Sequence, residues 1–107
     1  MKAYAIAFVR KCELNSEIVE YLQSIDATLD PFGGRFVAHG GGAQSVEGSA
    51  AMDAIIIEFP DREKLRAWWD SSEYQRILPL RNRNMDADIV FVDGVPDGYR
   101  AADALKH

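Results

Sequence analysis

The segment from Ala54 to Phe59 constrains the fold more than any other part of the chain. Its sequence, Ala-Ile-Ile-Ile-Glu-Phe, is followed by Pro60, which ends a strand because it cannot donate to a sheet ladder. Alternate side chains of a strand point to opposite faces, and here both faces are apolar except at Glu58. Such a strand needs cover on both sides, whereas an antiparallel sheet with one face in water alternates apolar with polar residues.

Three further strands are predicted by short runs of strand-forming residues that end at turn signals. They are Tyr4–Val9, Arg35–His39 and Ala87–Val95. The first of them, and the stretch Ile89–Val92 within the last, are again apolar on both faces. In the strand Arg35–His39, strict alternation predicts Phe36 and His39 on opposite faces. A short extended piece over Gln44–Glu47 and a polar link over Ser49–Asp53 are expected before Ala54.

The first helix is predicted between the first two strands. Asn15 or Ser16 can cap its start, and Asp30-Pro31 ends it because proline disfavours a helical conformation in the preceding residue. Its apolar stripe is expected to comprise Ile18, Leu22, Ile25 and Leu29.

A second helical region follows Pro60 and is predicted in two parts. Asp61 caps the first part, whose inner face carries Leu65, Trp68 and Trp69. Ser72-Glu73-Tyr74-Gln75 has the capping-box pattern and restarts the helix. Pro79 is expected to break or kink it near its end.

The order strand, helix, strand, strand, helix, strand is typical of a ferredoxin-like α+β sandwich with a four-stranded antiparallel sheet. Two helical regions cover only one face of that sheet. Because the strands are apolar on both faces, we expect a second copy to cover the other face, giving a two-fold homodimer. At 107 residues the chain is one domain, predicted to span 1–95, and 96–107 form a tail, either a short helix or loose.

Charge and composition exclude several classes of partner. A net charge of −5 argues against nucleic-acid and anionic-membrane binding, both of which need a basic surface. No apolar run reaches the roughly 18 to 20 residues of a membrane span, and the start of the chain lacks the apolar region of a signal peptide.

The single cysteine, Cys12, fits a reducing compartment, so we expect a cytoplasmic protein. With no histidine close to it in sequence, Cys12 is interpreted as a turn residue and not as a nucleophile.

Five ordered motifs resemble the domain-of-unknown-function 1330 family across Tyr4–Val95. They are Pro31–Phe36, Val46–Gly48, Ile57–Pro60, Ala67–Gln75 and Val92–Val95. The resemblance implies a dimeric α/β barrel on a ferredoxin-like fold. The wider superfamily includes cofactor-independent monooxygenases, haem-degrading enzymes, muconolactone isomerases and chlorite-dismutase-like proteins, but the family itself implies no settled activity. Where the family often has tyrosine, this chain has Trp69, which replaces a hydroxyl with an indole N–H.

Three polar residues are candidates for a site. His39 is either a general base or an exposed histidine at a strand end. Glu58 interrupts an apolar strand, so it needs a partner or a cavity, and Arg81 is the candidate partner because a guanidinium matches a carboxylate. The two form either a structural ion pair or a cleft in which Arg81 holds an acidic ligand while Glu58 or His39 handles protons.

Trp68, Trp69 and Tyr74 either line a pocket for a planar ligand or belong to the core. The Gly40–Gly42 run lacks the helix and the lysine of a phosphate loop, which favours a turn or bulge. Few histidines and cysteines are available as ligands, so neither a metal nor another cofactor is expected. Two hypotheses follow: a cofactor-independent enzyme acting on a small organic acid or aromatic compound, or a non-catalytic dimeric ligand-binding or accessory protein.

Overall fold

The computed structural model describes residues 1–48 and 53–106, and within them four strands form one sheet. In chain order the elements are β1 (Ala3–Cys12), α1 (Ser16–Leu29), β2 (Arg35–His39), β3 (Asp53–Phe59), α2 (Arg62–Asp70), α3 (Ser72–Asn82) and β4 (Met85–Asp93). One short 3-10 helix covers Asp30–Phe32 and another covers Ala101–Lys106. All strand pairs are antiparallel and the order across the sheet is β2-β3-β1-β4. The predicted ferredoxin-like α+β fold is confirmed.

The connection between β2 and β3 differs from the prediction. Gln44–Glu47 contains no strand, and three consecutive glycines before it, Gly40–Gly42, have φ angles of 83°, 49° and 65°. Those left-handed angles favour glycine and turn the chain away from the sheet. Of the predicted link, residues 49–52 lie outside the described part of the chain, and Asp53 already belongs to β3.

Helix α1 begins where predicted and buries three of the four predicted stripe residues, Ile18, Ile25 and Leu29. The Asn15 side chain accepts hydrogen bonds from the backbone N–H groups of Glu17 and Ile18, both at 3.1 Å. Tyr21 is buried in the stripe, whereas Leu22 is 41% exposed. The buried residues are Ile18, Tyr21, Ile25, Thr28 and Leu29, which follow the 3.6-residue period as well as the predicted set does.

The break between α2 and α3 is capped by Ser71, one residue earlier than the sequence pattern indicated. The Ser71 hydroxyl accepts from the backbone N–H of Tyr74 at 3.2 Å and donates to the carbonyl of Trp68 at 2.7 Å. The side chain of Gln75 reaches back to the carbonyl of Trp69 at 2.7 Å instead of closing a capping box. This sharp turn fixes where Trp68, Trp69 and Tyr74 lie relative to one another.

Pro79 does not break α3, which continues to Asn82. Proline has no backbone N–H, so the helix lacks the hydrogen bond that residue 79 would donate to the carbonyl of Gln75. The helix therefore carries Arg81 in its last turn. None of the helices in the described residues is long and apolar enough to cross a membrane.

The helices cover one face of the sheet, and the core lies between them and that face. From the sheet the buried side chains are Ala3, Ala5, Val9, Ile57 and Phe59. Phe59 meets Trp68 with their ring centroids 5.3 Å apart, and both are almost completely buried. Burying side chains of this size contributes about 1.5–3 kcal/mol each, so this layer supplies much of the stability.

The other face of the sheet is mainly apolar, with charged side chains at Glu58 and Asp88, and carries no helix in the described part of the chain. We call it the open face. Its apolar side chains are Tyr4, Ile6, Phe8, Ala38, Ala54, Ile56, Val90 and Val92, placed together by the strand register. Phe8, Val90 and Val92 are each 42% exposed. A contiguous apolar patch of this kind marks an interaction surface more often than a free surface.

A β-bulge in β2 changes the direction of the strand-end histidine. Phe36 pairs with Ile57 and His39 pairs with Ile55, so one residue more separates them on β2 than on β3. Both therefore point to the helix-covered face, where their rings stack at 4.8 Å. The predicted placement of Phe36 and His39 on opposite faces is wrong, because strict alternation fails across a bulge.

Candidate functional site

A cavity of about 70 Å³ lies between the sheet and the three helices. Its floor is formed by small and aliphatic residues of the sheet, and its walls by α1 and the aromatic residues of α2 and α3. The floor includes Ala5, Ala7, Ile55, Ile57 and Ile89. The polar groups around it are few, and they come from Tyr21, Tyr74, Arg81, His39 and the indole of Trp69. An apolar pocket with few convergent polar groups is the usual form of a small-molecule site.

Arg81 is the charged group of this cavity. It projects from the last turn of α3 and only 8% of the residue is exposed. Within the described residues no carboxylate lies within 4.0 Å of its guanidinium. The sequence of residues 49–52, Ser-Ala-Ala-Met, contains no acidic side chain either. A cation at a helix C-terminus gains a little from the helix dipole, but far less than a paired carboxylate gives a buried charge.

Arg81 lines the cavity, and the side chain of the described residues that lies against its guanidinium is a neutral one, Tyr21. Its charge and a hydrogen bond to the Tyr21 hydroxyl both oppose the rise in the pKa of that tyrosine. A neutral hydroxyl does not supply the counter-charge that a carboxylate would give. An arginine held in this way presents its N–H groups to whatever occupies the cavity.

Two tyrosine hydroxyls meet next to this arginine. The hydroxyl oxygens of Tyr21 and Tyr74 are 2.8 Å apart, and their rings are arranged edge to face at 6.2 Å. Burial raises the pKa of Tyr21 above its usual range, and the neighbouring Tyr74 adds to the rise, while the charge of Arg81 opposes it. Tyr21 is thus neutral at physiological pH and acts as a hydrogen-bonding group.

The aromatic residues divide into a core member and wall members. Trp68 donates its indole N–H to the Thr28 hydroxyl at 3.0 Å and is 2% exposed, which makes it mainly a core residue. Trp69 is half-buried, with its ring 5.4 Å from Tyr74 and 5.5 Å from Phe91. Trp69 and Tyr74 therefore form a wall against which a planar group can pack.

His39 lies at the rim of the cavity. The bulge in β2 directs it to the cavity side, and Phe36 stacks on its ring. His39 and Leu22 are both exposed as well as lining the cavity, so the cavity meets solvent at this end. Arg81 and His39 thus line one cavity, but they are only two of the three residues, with Glu58, that the enzyme hypothesis requires to converge.

Glu58 lies on the opposite side of the sheet, and its predicted pairing with Arg81 is wrong. It accepts hydrogen bonds from Lys2 Nζ at 3.2 Å, Arg35 Nε at 3.1 Å and Tyr4 Oη at 3.3 Å. Burial by itself raises the pKa of Glu58, but Lys2 and Arg35 outweigh it and lower the pKa below its usual value. Glu58 therefore belongs to the open face, where it cannot exchange protons with a ligand beside Arg81.

Sequence reasoning missed Tyr21, although a signal for it exists. Tyr21 is three residues after Ile18 and four before Ile25, so it fits the buried stripe as well as Leu22 does. A tyrosine in an apolar stripe needs a partner for its hydroxyl, and that partner, Tyr74, is 53 residues away.

In the described residues no group of three or more histidine, cysteine or acidic side chains is arranged to hold a metal.

Replacing Arg81 with methionine is expected to leave the unliganded protein as stable as before or to stabilise it by about 1 kcal/mol. The reason is that an unpaired buried charge costs free energy that an apolar side chain of similar length does not. Urea unfolding of both proteins measures the difference. A loss of about 3 kcal/mol or more would show instead that Arg81 holds the fold together.

Solved structures with the same fold are similar to this chain at low sequence identity. A protein of unknown function from Rhodopseudomonas palustris has a TM-score of 0.69 at 12% identity, with 89% of this chain and 83% of that one covered. A dimeric ferredoxin-like protein of unknown function from Jannaschia sp. CCS1 has a TM-score of 0.60 at 12% identity, with 88% and 100% covered. A protein from Nitrosomonas europaea, provisionally described as an antibiotic biosynthesis monooxygenase, has a TM-score of 0.55 at 12% identity, with 90% and 92% covered.

The sequence itself matches one family. No curated protein matches it, but the profile described as "Domain of unknown function (DUF1330)" matches residues 2–95, which include all four strands and all three α-helices. The resemblance carried by the sequence motifs is thereby confirmed. The chain belongs to the DUF1330 family.

Proposed function

We propose that this protein is a homodimer that binds a small organic acid in the cavity between the sheet and the helices. The observation that carries the proposal is Arg81, a buried arginine that lines the cavity and has no carboxylate partner in the described residues. A bound carboxylate supplies the missing counter-charge, and a guanidinium can bind it through two parallel hydrogen bonds.

The polarity of the cavity supports a ligand with an apolar body. Because about 70 Å³ is less than the roughly 150 Å³ of a cavity that holds benzene, the body of an aromatic acid must extend through the open end beside His39. The sheet floor is aliphatic, and Trp69 and Tyr74 offer ring faces on one wall. A ligand carboxylate next to Arg81 would leave the rest of the molecule among these apolar groups. Benzoate is a simple probe of this class, and benzamide is a neutral molecule of nearly the same shape.

The open face supports the homodimer. Its apolar side chains form a continuous surface on a sheet, and burial of such a surface is the usual driving force of association. Two copies related by a two-fold axis would cover each other's sheets, since the same patch meets itself in such an interface. The protein from Jannaschia sp. CCS1 with this fold is described as dimeric. The acidic chain and its single cysteine further support a cytoplasmic protein that binds no nucleic acid.

An enzyme version of the proposal is favoured by the position of His39. It is the one imidazole among the described residues that line the cavity, and histidine is the side chain that most often transfers protons in enzymes. In this version Arg81 anchors the acid, and His39 takes or gives the proton without a cofactor. In the non-catalytic version the same ligand binds and His39 is only a rim residue.

Benzoate is expected to raise the melting temperature of the protein by about 10 °C or more at a concentration of about 100 Kd, and benzamide is expected to have little effect. Butyrate and succinate extend the panel to aliphatic acids. Arg81→Met should abolish the shift, while Arg76→Met should keep it because Arg76 is exposed on the same helix. The proposal fails if no acid of the panel shifts the wild-type protein, or if the shift persists in Arg81→Met.

Replacing His39 with glutamine separates the two versions. Once a binding acid is found, its conversion is followed by mass spectrometry with both proteins. The enzyme version predicts conversion by the wild type that falls about 100-fold or more in the variant, with affinity for the acid unchanged, because only proton transfer is lost. Absence of conversion by the wild type, or equal rates in the two proteins, rules out His39 as a general base.

The wild-type protein is expected to run at twice its chain mass of 11.9 kDa in light scattering at micromolar concentration. Val90→Lys should reduce the mass to that of one chain, because it puts a charge in the centre of the open face. Val46→Lys is the matched control, since Val46 is 89% exposed in the connection after β2. A single-chain mass for the wild type contradicts the dimer.

A further inference from the structure

The polar groups at the Arg81 end of the cavity are mainly hydrogen-bond donors. A guanidinium has five N–H groups and no acceptor. The hydroxyls of Tyr21 and Tyr74 share one hydrogen bond, in which either can be the donor, so one O–H group of the pair keeps its proton free. Neither hydroxyl donates to any other acceptor in the described residues.

The free O–H group of the tyrosine pair is buried. Tyr74 is 1% exposed and Tyr21 is 7% exposed, so the free O–H group lies in an interior site where a missing hydrogen bond is costly. Both residues line the cavity that Arg81 faces. The charge of Arg81 and a hydrogen bond from its guanidinium both oppose the rise in the pKa of Tyr21 that burial causes, so Arg81 is a neighbour of this hydroxyl.

We propose that the Tyr21–Tyr74 hydroxyl pair is a second recognition element that donates one hydrogen bond to the oxygen atoms of the same ligand anion as Arg81. The proposal rests on the ligand site proposed above and specifies the class of ligand. The group that enters this end of the cavity has acceptors only: it is a deprotonated carboxylate on a flat apolar body. Primary amides are rejected because their NH₂ group would face donors and because they lack the charge.

The pair also explains why two tyrosines are used. One hydroxyl donates to the ligand, and the other donates to the first, which strengthens the outgoing hydrogen bond because linked hydrogen bonds polarise one another. The two hydroxyls therefore act as one unit. Removal of both should cost no more affinity than removal of the one that touches the ligand.

The test compares benzoate affinity by titration calorimetry in the wild type and in Tyr21→Phe, Tyr74→Phe and the double variant. Phenylalanine keeps the ring, so packing is preserved. One single variant should bind about tenfold or more weakly, since a hydrogen bond to a charged group is lost. The other should lose about threefold or less, and the double variant should equal the weaker single variant. Benzamide should bind the wild type at least about tenfold more weakly than benzoate does.

Thr28→Val is the matched control. It removes the buried Thr28 hydroxyl, which accepts a hydrogen bond from the Trp68 indole, and Thr28 itself does not line the cavity. The variant should therefore have lower stability in urea and unchanged benzoate affinity. If the double tyrosine variant binds benzoate as the wild type does while Arg81→Met does not bind, the tyrosine pair is not a recognition element and the carboxylate site stands. If the losses of the two single variants add up in the double variant, the hydroxyls are not one unit and the proposal is wrong. If Arg81→Met binds as the wild type does, the ligand site itself is wrong.

Discussion

The need to cover a sheet that is apolar on both faces governs this structure. Three α-helices are available in the described residues, and all of them pack on the same face. Hydrophobic burial is proportional to the apolar area removed from water, so the uncovered face is the largest unused source of stability in the single chain. The two faces of the sheet therefore differ: the face covered by helices encloses a cavity, and the open face is available for association with a second copy.

Two charged residues with little exposure, one on each face, show this division. Glu58 on the open face is surrounded by Lys2, Arg35 and Tyr4, so its charge is compensated within the chain. Arg81 on the covered face has no such compensation from the described residues, although it is among the most buried polar residues there. A compensated charge is explained by the fold itself, whereas an uncompensated one needs a partner from outside the chain. The proposed ligand site therefore depends on Arg81 and not on Glu58.

The sequence allowed the elements and their order to be predicted, because each strand and helix carries its own periodic pattern and its own cap or stop. It predicted the residues of the site less well. Arg81, Trp69 and Tyr74 were chosen for their chemistry and do line one cavity. The pairing of Glu58 with Arg81 failed because nothing local shows on which side of the sheet a helix lies. Tyr21 was missed because its partner, Tyr74, is close only in the folded chain.

The bulge at Val37 makes the identity of the rim residue depend on strand length and not only on residue type. One extra residue in the edge strand β2 is enough to bring His39 to the cavity side, and a strand without it would present its neighbour instead. Related chains that differ here by a single insertion or deletion would exchange an imidazole for another side chain at the cavity entrance while the core stayed intact. Length variation in an edge strand is thus a route by which a family with one fold can diversify its chemistry.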